Sequence, residues 1–123
     1  MKVYLNIGKK VNFVDENNRF VGYNLEQDCC ENANWFIADT PQCAVQSRST
    51  DNPDLDGFVF DPIFFIAHPP NPVDSDTELS MVIFRIVKGD HEKFIHLFNI
   101  HNGYYKHGFE FGEDCIPHRT GKI

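Results

Sequence analysis

No stretch of this 123-residue chain holds the roughly 18 consecutive apolar residues that a membrane-spanning helix needs. Basic side chains are scarce: eleven Lys and Arg stand against eighteen Asp and Glu, a formal charge of −7. No basic stripe reverses that balance locally, so a phosphate backbone would be repelled and nucleic acid is not expected as a partner. A basic amphipathic helix is also missing, which argues against an anionic membrane surface. The opening MKVYLNIGKKVNF lacks the apolar core of a secretory signal, because Asn6 and Gly8–Lys10 interrupt it. A cytoplasmic location is therefore expected. In that compartment Cys29, Cys30, Cys43 and Cys115 are expected to be free thiols, not a disulfide framework.

Catalytic signatures are lacking too. There is no GxGxxG, P-loop, GxSxG or HExxH, and no carboxylate pair sits at a spacing that places both in one cleft. No cofactor and no metal are expected, and the chain reads as one that binds more readily than one that catalyses.

What is present is apolar and aromatic. Hydrophobic residues make up 41% and aromatics 14%, twelve of them Phe, which supports one folded domain over residues 1–123. The apolar positions alternate, so strands are predicted throughout. Val11 and Phe13 share a face, Asp15–Asn18 forms a polar turn, and Val21, Tyr23 and Leu25 line the returning strand. Residues 31–38 suit either a strand or a short helix behind Asp28; Trp35, Phe36 and Ile37 favour the strand. Residues 39–57 and 68–78 read as long loops, the second opening on the stiff run His68–Pro72. Between them, residues 57–67 are apolar on both faces, and Pro62 makes this two short strands or a broken edge strand. Leu79–Val87 and Lys93–Ile100 form a hairpin whose second strand is apolar on both faces and hence central. Asn102-Gly103 supplies the best hairpin dipeptide, leading to a half-buried strand with Tyr105, His107, Phe109 and Phe111 on one face. The expected fold is mainly β and antiparallel, two packed sheets or a partly open barrel with little helix.

Three segments, QDCCE (27–31), LDGFVFDPI (55–63) and NGYYKHGFEF (102–111), resemble a family of small bacterial and phage β-rich domains that carry a Cys-Cys-Glu element and a distal Asn-Gly-Tyr-Tyr segment. The resemblance spans residues 10–111. It implies a β-rich domain without an assigned activity, and it directs attention to Asp28, Cys29, Cys30, Glu31 and Asn102–Tyr105.

Asp28-Cys29-Cys30-Glu31 has four readings: a metal claw, a redox switch, a nucleophile or packing. Neighbours in a strand face opposite sides, so the two sulfurs should diverge, and C-C is not the C-x2-4-C spacing of a zinc site. Flanking Asp28 and Glu31 should raise a thiol pKa, which disfavours a nucleophile. The favoured expectation is one cysteine packed inward and the other at a turn. The metal or thiol alternative would use Cys29 or Cys30 with His101 or His107, and those two histidines are expected to face each other across the hairpin. His91, His96 and His101 step by five, so adjacent members should alternate faces, and His96 should be a core residue. Asn52, Asp54, Asp56 and Gly57 match half a calcium loop, but Ile63 stands where the closing glutamate belongs. Tyr104 and Tyr105 offer rigid amphipathic contact area. With Asn102 and residues 28–31 they form the expected binding site for a protein partner. A homodimer that hides the Phe-rich 57–67 strand is the expectation for self-assembly.

Overall fold

The structure, a computed structural model, describes residues 1–6, 9–45 and 54–123. Nine strands are present among them: β1 (Lys2–Asn6), β2 (Lys10–Val14), β3 (Arg19–Asn24), β4 (Asn32–Ala38), β5 (Val59–Pro72), β6 (Glu78–Lys88), β7 (His91–His101), β8 (Gly108–Glu113) and β9 (Ile116–Lys122). They build two antiparallel sheets, ordered β1-β2-β3-β8-β9 and β4-β7-β6-β5, which pack face to face without closing into a barrel. Among the described residues no helix is long and apolar enough to cross a membrane.

Period-two patterning explains the packing. Val11, Phe13, Val21 and Tyr23 turn one face of the first sheet inward. Trp35, Val82, Phe84, Ile86, Ile95 and Leu97 turn one face of the second against them. Aromatic rings bridge the layers, with Phe13 edge-on to Trp35 at 5.1 Å and Phe60 edge-on to Phe111 at 5.6 Å between centroids. The far side of the second sheet holds a separate apolar cluster that includes Phe36, Met81, Ile83, Phe94 and Phe98. Strand β7 is central, as its two apolar faces required. The cover on its far side includes loop residues, since Cys43 packs there and the Thr40 carbonyl lies 3.1 Å from His96 Nε2.

Asp15 joins the layers at the first hairpin. Its Oδ1 accepts the N–H groups of Asn17 and Arg19, both at 2.9 Å, which closes the turn that Asn18 completes at φ 60°. Its Oδ2 accepts the N–H of Phe60 on β5 at 2.9 Å.

Three expectations are corrected. Asn102-Gly103 does not make a hairpin. It opens the crossing from β7 in one sheet to β8 in the other, and β8 pairs with β3 and β9. A two-residue hairpin turns instead at Asp114-Cys115, both at positive φ (53° and 66°), between β8 and β9, a strand that the sequence pattern does not predict. His68–Pro72, expected in a loop, extends β5: His68 pairs with Met81 and Asn71 with Leu79 around a register shift. Proline is tolerated because β5 is an edge strand, as Pro62 foretold. Finally, the Phe residues of that strand are not a bare surface. Phe65 packs on Phe84 and Phe109, and Phe64 on Phe94. The expected motive for hiding this strand in a homodimer therefore falls largely on Ile63, which is exposed. Within the expected 39–57 loop, residues 46–53 lie outside the described residues, and Asn52 of the half calcium loop is among them. Asp54 there accepts the Asp56 N–H at 3.0 Å and Gly57 has φ 81°, the geometry of an Asp-rich turn.

Candidate functional site

The approach to β4 carries Asp28-Cys29-Cys30-Glu31 as a bend, not a strand. Without pleating the two sulfurs do not diverge. Cys29 Sγ lies 3.4 Å from Cys30 Sγ and both residues are exposed. Both the expected divergence and the expected inward packing of one cysteine are corrected by this, because the alternation rule holds only where the backbone is extended.

Glu31 shapes the bend. Its side chain turns inward, 3% exposed, and its Oε1 accepts the N–H of Cys29 at 2.8 Å and of Asp28 at 3.1 Å. Its Oε2 meets His107 Nε2 at 2.9 Å. The opposite ring nitrogen, Nδ1, donates to the Asn24 carbonyl at 2.6 Å. Both nitrogens of His107 therefore face oxygen acceptors. Burial opposes the Glu31 charge, but the Cys29 N–H, His107 and the Asp28 N–H outweigh it and hold the carboxyl down at about 2.

Further polar groups surround this pair. Tyr23, fully buried, donates its hydroxyl to the Phe98 carbonyl at 2.9 Å, and burial followed by the Glu31 charge pushes its pKa up. His101 Nδ1 accepts the Gly103 N–H at 2.9 Å, which leaves Nε2 to donate to Ser80 Oγ at 3.2 Å, and burial lowers the pKa of the ring. Asn99, completely buried, donates to the carbonyls of Tyr105 and Ile123. These groups close one end of the layer interface and fix the 102–107 crossing against the 28–31 bend.

The two segments singled out in the sequence thus meet. Tyr105, half-buried, lies beside Cys29, and its interaction with that thiol, followed by the Cys30 and Glu31 charges, pushes its phenol up. The hydrogen bond from Cys29, followed by its charge, likewise pushes the Cys30 thiol up, and the Glu31 charge adds to this, the direction expected from the acidic flanks. Tyr104 is 85% exposed, with its N–H held by Asn102 Oδ1 at 3.2 Å. His101 and His107 do not face each other across a hairpin, since none exists there, although both end in the same polar cluster. His91, His96 and His101 lie on the unbroken β7, where adjacent members alternate faces, and His96 is a core residue stacked on Phe36 at 4.4 Å.

The sequence reading put Glu31 in the expected binding site with Cys29 and Cys30, where the structure buries it instead, and gave His107 only a secondary part. The signal for His107 was present in its phase with Phe109 and Phe111. Glu31 had no such signal, because its burial depends on meeting His107 across the fold. As for metal ligands, oxygen and nitrogen atoms of Asp28, Glu31 and His107 lie within 4.8 Å of one another. One imidazole and two carboxylates would suit a borderline divalent ion, and the backbone bond at His107 Nδ1 is of the kind that orients a ligating histidine. Here hydrogen bonds already occupy both Glu31 oxygens. Comparison with family models, with curated proteins and with solved structures finds no match to the chain.

Proposed function

We propose that this chain is a small acidic binding module that captures a protein partner through the face formed by Asp28, Cys29, Cys30, Asn102, Tyr104 and Tyr105. One observation carries the reading: two segments more than 70 residues apart are locked together by a buried Glu31–His107 pair, yet present exposed sulfur, carboxylate and phenol groups. A rigid, partly aromatic surface loses little entropy on binding, which is how tyrosine-rich contact sites gain affinity. The formal charge of −7 suits a partner with a basic patch and a salt-sensitive association rate. A cytoplasmic setting, with an accessory role in a phage or mobile element, belongs to the same proposal and rests on the family resemblance of the DCCE and NGYY segments.

The test compares wild-type protein with the Tyr104→Ala/Tyr105→Ala double variant as bait in host-cell extract at two salt concentrations. A partner retained by wild type and lost from a folded double variant supports the reading. Identical capture by both, or no specific partner at either salt, removes it.

A second reading, a metal-dependent enzyme, draws on the proximity of Asp28, Glu31 and His107. Near-stoichiometric zinc, manganese or iron in purified protein after dialysis would favour it over the binding module.

A further inference from the structure

The geometry points to the Cys29–Cys30 bend as a chelating site for a thiophilic trivalent metalloid, held by both sulfurs. This site is distinct from the protein-binding face proposed above in ligand and in chemistry, though the two share residues.

Four observations carry it. The sulfurs are 3.4 Å apart and both residues are exposed, so a ligand reaches them together without unfolding. The backbone beneath them is fixed, since Glu31 holds the N–H groups of Asp28 and Cys29, and His107 holds Glu31. The pair is therefore arranged before a ligand arrives, which removes most of the ordering cost of chelation. The third observation is the bite. With sulfur–ligand bonds of about 2.3 Å, a 3.4 Å separation subtends an angle of about 95° at the bound atom. A tetrahedral ion with the same bond lengths would need the sulfurs about 3.8 Å apart and two further ligands. A trivalent metalloid has a stereochemically active lone pair that compresses its bond angles toward a right angle, and it needs only one further substituent.

The fourth observation disfavours the competing use of the pair as a disulfide. Adjacent residues have Cα atoms about 3.8 Å apart, whereas unstrained disulfides span about 4.4–6.8 Å. An S–S bond between Cys29 and Cys30 would be strained and easily reduced. A bridging atom relieves that constraint by lengthening the ring.

Phenylarsine oxide is a suitable probe. Arsenic remains trivalent throughout. Two As–S bonds form and the As=O bond breaks, and the two thiol protons leave with the oxide oxygen as water.

The experiment titrates the full chain with phenylarsine oxide and counts the thiols left for a chromogenic disulfide reagent. The expected result is one equivalent bound, with two of the four thiols lost, resistant to excess 2-mercaptoethanol and reversed by a dithiol such as 2,3-dimercaptopropanol. Cys29→Ser and Cys30→Ser should each weaken binding at least about 100-fold, because one anchor loses the effective-concentration advantage of two. Cys43→Ser/Cys115→Ser should bind like wild type. Circular dichroism checks that each variant is folded. The inference is overturned if a folded single variant binds as tightly as wild type, if the Cys43/Cys115 variant loses binding, or if wild type releases the probe to monothiol.

Discussion

His107 Nε2 sits 2.9 Å from Glu31 Oε2, 76 positions away in the chain, and both side chains are almost wholly removed from water. This contact joins the bend before β4 to the crossing that enters β8, and every feature of the candidate face is arranged around it.

Breaking that pair should be costly. His107→Ala leaves a buried carboxylate without its partner, and an uncompensated buried charge of this kind costs about 3–5 kcal/mol. Urea denaturation should show the midpoint falling by a corresponding amount. In a double-mutant cycle, Glu31→Gln combined with His107→Ala should cost clearly less than the two single losses added together. Simple additivity would mean that the two groups do not support each other.

Acid should probe the same pair. The Glu31 carboxyl is held at about 2 against an ordinary value of 4.5, so its folded form is the less protonated one. Its contribution to stability is complete above about pH 4.5 and fades as pH falls toward 2. Stability measured from pH 6 to pH 2.5 should therefore decline more steeply for wild type than for Glu31→Gln. Parallel slopes would show that the carboxyl is not held down.

Asp15 should prove a structural acid. Replacing it with Ala strands the N–H groups of Asn17, Arg19 and Phe60, the last of them in the opposite layer. Hydrogen bonds to a charged acceptor are worth about 1.5–3 kcal/mol each, so a loss of about 3 kcal/mol or more is expected on chemical denaturation. Asp15→Asn should recover part of it, because one carbonyl oxygen remains to accept.

Two glycines separate backbone from side-chain constraint. A Cβ at Gly112 would collide with the backbone carbonyl of Ile116, which the β8–β9 hairpin holds in place. Gly112→Ala should cost several kcal/mol or prevent soluble expression. At Gly22 the nearest atom is the flexible Lys10 Cε at 2.8 Å, so Gly22→Ala should cost distinctly less in a thermal melt. Equal losses would contradict the packing described for β8.

Tyr104 marks the opposite limit. With 85% of its surface exposed, its replacement by Ala should shift stability by no more than about 0.5 kcal/mol. A larger loss would show that the ring is a packed residue and not available to a partner.

The strands themselves were legible because burial on one face imposes a two-residue period. Val11, Phe13, Val21 and Tyr23 announce their sheet face, and Phe94 to Ile100 announce a strand covered on both sides. The same rule separated His96 from His101 correctly, since β7 runs unbroken beneath them. The rule fails at Cys29-Cys30, where the chain bends, and turn chemistry fails at Asn102-Gly103, where a favourable turn dipeptide leads to a crossing between sheets. A turn dipeptide states that the chain can reverse; it carries no information on which strand lies beyond.

Local sequence thus determined the class of fold, the inward face of each long strand and the net negative charge, because each follows from spacing and composition. Tertiary structure alone decided that β8 leaves β7 for the other sheet, that Glu31 is buried, and that the cysteine bend meets Tyr105. Those facts depend on partners dozens of residues away. A carboxylate finds a low-energy place inside a protein only when a histidine and two backbone N–H groups are already there to receive it.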